Sequence, residues 1–149
     1  KAVALASEKD VVPIKDLAEA VRSADILSSA TTAIDPFIKG EWLKEGCHLD
    51  LIGAFRPDMR EAHDSALLRG SIFVDSYKTA LHDIGELGIP LANGVISEAD
   101  VINDFYGLCC GNPGRKSDAE IPIFKNGGGA HLDLAVAAHI KKLFDEISV

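Results

Sequence analysis

Short apolar runs alternate along this chain with apolar positions at helical spacing, so strands and helices are expected to take turns. Asp25-Ile26-Leu27-Ser28-Ser29-Ala30-Thr31 predicts a strand whose apolar half is nearly uniform, as in a strand covered on both faces. Further strands are predicted over residues 47–53, 71–75 and 121–125. Val11-Val12-Pro13-Ile14 predicts a short one, held to an edge by a proline that cannot donate to a ladder. Among the helices, Asp16 is a cap for residues 17–23, where Leu17, Ala20, Val21 and Ala24 make an apolar stripe. Residues 64–70, 78–83 and 103–110 predict short helices, and Ser97 with Asp100 forms a capping-box pattern that opens another. Residues 130–147 predict a long C-terminal helix with a broad apolar face through Leu132, Leu134, Ala135, Ala138 and Leu143, and residues 1–8 the tail of a helix. Residues 34–42 are expected to be a loop with one short turn, in which Trp42 packs. Residues 111–115 are expected to be a second loop, and residues 85–90 are too often interrupted by Gly and Pro for regular structure. Strands and helices in this alternation specify an α/β fold with a parallel sheet.

Three of the predicted strands end in the same way. The apolar run Leu49–Ile52 stops at Gly53-Ala54 and passes into the polar turn of Arg56-Pro57-Asp58, and residues 28–32 and 124–129 also end in small or polar residues. In an open α/β sheet the carboxyl ends of the strands form the ligand crevice, which makes these ends the candidate site.

Composition narrows the classes. With 149 residues the chain suits a single domain, and 47% hydrophobic with only 6% aromatic residues describes an aliphatic core. A net charge of −8 argues against a nucleic-acid or anionic-membrane binder, and no apolar run approaches the ~20 residues of a membrane span. Cys47, Cys109 and Cys110 show no CxxC spacing and are odd in number, which suits a reducing cytoplasm. The chain begins at Lys1 inside a helix-like run, so it is expected to be cut from a larger protein.

Several stretches could carry chemistry. The hydroxyls of Thr31 and Thr32 can bond a cofactor ribose or amide, or serve an ordinary turn. Gly127-Gly128-Gly129 lets backbone approach a ligand at the head of the long helix, where N–H groups favour a carboxylate or phosphate, or is simply a flexible turn. The histidines lack metal-site spacing: His82 and Glu86 are four apart without a third ligand, so no metal is expected. No nucleophile elbow is present. The residues alone indicate part of a nucleotide-type α/β domain.

Taken in order, A-T-T at 30–32, K-G-E-W-L-K-x-G-x-H-L at 39–49, I-G-A-x-x-P-x-x-R-E at 52–61, V-D-S at 74–76, G-E-L at 85–87 and F-K-x-x-G at 124–128 resemble the ornithine cyclodeaminase/μ-crystallin family. The resemblance implies a Rossmann domain for NAD(P) and a dimerisation and substrate domain to which the C-terminal helix returns. This chain resembles the second half only: residues 1–130 as part of the Rossmann domain and 131–149 as the returning helix. In the order 3-2-1-4-5-6, residues 11–14 would be strand 3 and 25–31 strand 4, leaving a gap in the sheet where strands 2 and 1 belong. The Gly-rich fingerprint and the substrate-binding Arg and Lys would lie upstream.

The resemblance also implies roles. Thr31 matches a cofactor-contacting Thr, and Ile52, Gly53 and Ala54 match backbone lining the nicotinamide half. Met59 falls where cyclodeaminases have a cofactor-contacting Lys. Asn126 matches a polar residue near the nicotinamide, Gly127 a substrate contact, and Gly128 with its neighbours a place for the carboxylate. Cyclodeaminases have an Asp proton carrier where this chain has Phe55, and an aromatic ring cannot exchange protons. The sequence is instead similar to the branch of Δ1-pyrroline-2-carboxylate and Δ1-piperideine-2-carboxylate reductases. There Phe55 would pack near cofactor and ring in a cytoplasmic homodimer using NAD(P)H. The alternatives are a cyclodeaminase or amino-acid dehydrogenase, and a non-catalytic NADPH-binding protein of the μ-crystallin kind.

Overall fold

The computed structural model describes residues 11–147, apart from the side chain of His131. The predicted helix tail at residues 1–8 lies outside the described residues. The elements are α1 (Leu17–Ser23), β1 (Ile26–Ser29), a 3-10 turn (Gly40–Trp42), β2 (His48–Leu51), α2 (Asp64–Leu67), β3 (Ser71–Val74) and α3 (Tyr77–Ala80). They continue with α4 (Gly85–Ala92), a 3-10 turn (Glu98–Asp100), β4 (Val101–Asp104), α5 (Phe105–Cys109), β5 (Pro122–Lys125) and α6 (Ala130–Ile147).

All strand pairs are parallel, in the order β1-β2-β5-β3-β4. The last strand therefore lies in the middle. Its position follows from composition: Ile121 and Ile123 are buried, as suits a strand with neighbours on both sides. Register aligns Leu27, Leu49, Ile123, Ile72 and Val101 across the sheet. This row meets Val21, Leu43, Ala66, Leu67 and Leu87 in one core on one face. On the opposite face Phe105 of α5 stacks on Phe124, with ring centroids 4.8 Å apart.

Four expectations need correction. Residues 11–14 form no strand, and Val12 is 80% exposed; Pro13 has no N–H to offer a ladder. The described strands consequently make one unbroken sheet with β1 at its edge, and the expected gap does not fall among them. As an edge strand β1 is not covered on both faces, and Ile26 is 72% exposed. The stretch around residues 85–90 is helical after all. Pro90 removes only the single N–H that would bond back to Glu86, while buried Leu87 and Pro90 fasten the helix to the core. Finally, residues 101–104 are a strand before the short helix α5. Pairing with β3 decides this, and Asp104 then caps α5 by accepting from Gly107 N–H at 2.9 Å. The capping box is present, with Asp100 accepting from Ser97 N–H and Oγ at 2.7 and 2.8 Å, although it opens a 3-10 turn.

Candidate functional site

The carboxyl ends of β2 and β5 bound an open cleft of about 330 Å³. One wall carries Ile52 and Phe55, and the other Asn126, Gly127 and Gly128, with the first turn of α6 closing the end through Leu132 and Asp133. The sequence-predicted Ile52, Phe55, Asn126, Gly127 and Gly128 thus meet around one space. The first wall is apolar at the surface: Ile52 is 44% and Phe55 63% exposed, an arrangement that offers a flat patch to a partner. Arg56 lies 6.0 Å from the Phe55 ring centroid, held by two 2.9 Å hydrogen bonds to Asp58.

The second wall is polar backbone. Asn126 Oδ1 accepts from Gly128 N–H at 2.8 Å, which turns the amide so that its NH₂ group remains as a donor. Gly128 has φ +72°, a conformation that favours glycine. At Gly127 the constraint is space, since a Cβ would stand 2.9 Å from Thr79 Oγ1 and 3.1 Å from Asp75 Oδ1.

Thr31 sits one strand over. Its N–H and Oγ1 both donate to Glu61 Oε1, at 2.7 and 2.8 Å. With that proton committed, the Thr31 hydroxyl can meet a ligand only as an acceptor. Gly53 is fixed by the same junction, because a Cβ there would come within 2.3 Å of the Thr31 backbone. Ala54 and Met59 do not line the cleft. Both are buried, packed with Ile84 in a small cluster.

Behind the cleft lies a buried polar layer that the sequence reading missed. Glu61 is fully buried and also accepts from Ser29 Oγ at 2.6 Å and from Gly53 N–H at 2.8 Å. Burial pushes its carboxyl up, but the hydroxyls of Ser29 and Thr31 and the N–H groups of Thr31 and Gly53 outweigh that and hold it below the usual range. Glu86, on α4, accepts from the N–H groups of Glu61 and Ala62 at 2.7 and 2.9 Å, and burial raises its carboxyl. Lys125 is fully buried too. Burial lowers its ammonium, against the opposing pull of Glu86, Glu61, Asp75 and Asp50. One signal could have found it: the inward alternation Ile121, Ile123, Lys125 puts a lysine on the core face of β5.

Among the described residues no group of three His, Cys, Asp or Glu is arranged to hold a metal ion, and no helix is long and apolar enough to cross a membrane.

Three comparisons bear on this cleft. The chain is 50% identical over 139 residues to Delta(1)-pyrroline-2-carboxylate reductase of Paracoccus denitrificans, covering 91% of this chain and 43% of that protein. It superposes on the same-named reductase of Thermococcus litoralis, solved with NADH and L-proline. There the TM-score is 0.73 at 33% identity, over 77% of this chain and 36% of that one. It also matches an archaeal alanine dehydrogenase dimer with bound NAD, at a TM-score of 0.85 and 31% identity, over 99% of this chain and 46% of that one. The chain spans less than half the length of each of these relatives. Residues 1–147 match the model of the ornithine cyclodeaminase/mu-crystallin family, and the chain belongs to that family.

Proposed function

We propose that the complete protein reduces a cyclic ketimine carboxylate, Δ1-pyrroline-2-carboxylate or Δ1-piperideine-2-carboxylate, with NAD(P)H to give L-proline or L-pipecolate. The observation that carries this reading is the pairing of walls in the cleft: exposed Ile52 and Phe55 face Asn126 and the Gly127–Gly128 backbone. A nicotinamide fits this pairing: Ile52 and Phe55 would hold a flat ring, and the Asn126 NH₂ would be the donor for its carboxamide. When bound, the reduced cofactor supplies the hydride to the C=N carbon, and the imine nitrogen takes up a proton to complete the amine. This chain's residues bind and orient. Phe55 and Ile52 exclude water from the apolar ring, and the backbone at Gly127 and Gly128 comes close enough to hold a carboxylate.

The 50% identity to a pyrroline-2-carboxylate reductase supports this branch over ornithine cyclodeamination, and so does Phe55, which has no proton to exchange. Residues 1–130 are then part of the NAD(P)-binding domain and 131–149 the helix that leaves it. Exposed Val136, Ile140, Leu143 and Ile147 on α6, at alternating helical spacings of four and three, support a helix seated on a dimerisation domain. We read the complete protein as a cytoplasmic homodimer.

The assay is oxidation of NADH and of NADPH by the complete protein with each imine. Turnover with at least one is expected. Ammonia release from L-ornithine, or oxidation of L-alanine, without imine reduction would overturn the reading in favour of a cyclodeaminase or an amino-acid dehydrogenase. Tight NADPH binding with no turnover would point to a binding protein.

A further inference from the structure

Lys125 ends β5 where the alternation of Ile121 and Ile123 calls for a third apolar side chain, and it is fully buried. An ammonium in that place loses its hydration, and such a group persists only when every donor is used. It has three donors and three acceptors: Nζ donates to Leu51 O at 3.0 Å, to Ala54 O at 2.8 Å and to Asn126 O at 2.6 Å.

Those acceptors are not scattered. Leu51 and Ala54 bracket Ile52 and Gly53 and shape the bend that presents the apolar wall, while Asn126 opens the polar wall. One side chain therefore bonds both sides of the cleft from below. Carboxylates face it from four places: Asp50 on β2, Glu61 after β2, Asp75 after β3 and Glu86 on α4. They compensate the charge without taking a hydrogen bond from Nζ, so the geometry of the ammonium is set by the carbonyls of Leu51, Ala54 and Asn126.

We propose that Lys125 is a positioning residue for the reaction, a buried ammonium that fixes the separation of the two cleft walls and thereby the fit of the nicotinamide and the imine. The proposal rests on the reading that the complete protein binds NAD(P)H in this cleft. Replacing the ammonium by an apolar end takes the donor from Ala54 O and Asn126 O, while Leu51 O keeps the Asn126 N–H at 3.1 Å, and the bend after β2 relaxes to find other donors. A displacement of about 1 Å at a reacting centre costs on the order of 100-fold in rate.

The test uses the complete protein carrying Lys125→Met, with Lys125→Gln, which keeps two donors, as the second variant. Three quantities are measured beside a thermal melt: affinity for the reduced cofactor by fluorescence titration, affinity for ADP-ribose, and kcat and KM for the imine. ADP-ribose lacks the nicotinamide and so does not reach between the walls. The proposal expects a cooperative melt, ADP-ribose binding within about twofold of wild type, reduced-cofactor affinity down by about tenfold and kcat/KM down by about 100-fold. Unchanged cofactor affinity and kcat/KM would overturn it, as would equal losses for cofactor and ADP-ribose. Failure of both variants to fold would overturn it as well, since Lys125 would then be a folding residue. If wild type binds no reduced cofactor, the functional reading itself falls and this proposal with it. If wild type turns over and the variants match it, only this proposal falls.

Discussion

Glu61 uses both carboxylate oxygens. Oε1 takes Ser29 Oγ and both donors of Thr31, and Oε2 takes Gly53 N–H, so a single buried carboxylate ties the end of β1 to the end of β2. In Glu61→Gln one oxygen becomes a donor facing donors, and the loss should be about 1–3 kcal/mol for the unsatisfied group, read by urea unfolding. The pH dependence follows from the lowered carboxyl. A depressed pKa stabilises the fold fully above the unfolded value of 4.5, and that contribution is lost as pH falls through the lower folded value. Wild-type stability should therefore fall on acidification below 4.5 more steeply than that of Glu61→Gln. Parallel slopes in the two proteins would show that the carboxylate carries no such linkage. Phe55 belongs to the same scale. Phe55→Asp removes the apolar surface of the cleft and places a negative charge near an anionic substrate, so imine reduction should drop with KM rising, measured by steady-state kinetics of the complete protein.

At the scale of elements, α4 is the instructive case. A Cβ at Gly85 would stand 2.4 Å from Pro57 O and 2.7 Å from Met59 O, so this helix begins pressed against the turn that follows Phe55. Gly85→Ala gains about 1 kcal/mol of helix propensity but must push that turn away, at a cost of roughly 1–3 kcal/mol. The expected result is a protein no more stable than wild type, with reduced affinity for the nicotinamide cofactor. A more stable variant with normal affinity would contradict the packing argument.

The same element marks how far the sequence could be read. Strands β1, β2, β3 and β5 and helices α1 and α6 were legible because apolar runs or stripes and caps such as Asp16 bound them. Helix α4 was not, since its glycines and proline answer to close packing and not to local preference. Strand β4 runs directly into α5 at Phe105, so its residues read as the start of that helix, and its pairing with β3 is what makes it a strand. In the site, Ile52, Phe55 and Asn126–Gly128 were reached through motif resemblance, and they do meet in one cleft. Lys125, Glu61 and Glu86 were passed over because most of their partners are backbone groups far along the chain, which side-chain patterning does not register.

For the whole molecule, the seam of Val136, Ile140, Leu143 and Ile147 on α6 is apolar without cover among the described elements. Long exposed apolar seams of this kind mark contacts with other parts of a protein or its copies. In the homodimer proposed for the complete protein, Ile140→Asp with Leu143→Asp should shift the assembly toward monomer, as seen by light scattering, while leaving ADP-ribose binding intact. A dimer unaffected by both charges would place the interface elsewhere.

The central claim is that the cleft between Phe55 and Asn126 orients a reduced nicotinamide against the carbon of a ketimine. The most direct test supplies the complete protein with Δ1-pyrroline-2-carboxylate, Δ1-piperideine-2-carboxylate and a reduced cofactor carrying deuterium at the transferring carbon, followed by mass spectrometry of the product. Deuterium on the α-carbon of L-proline or L-pipecolate is the predicted result. Turnover without label in the amino acid, or no amino acid formed from either imine, would contradict it.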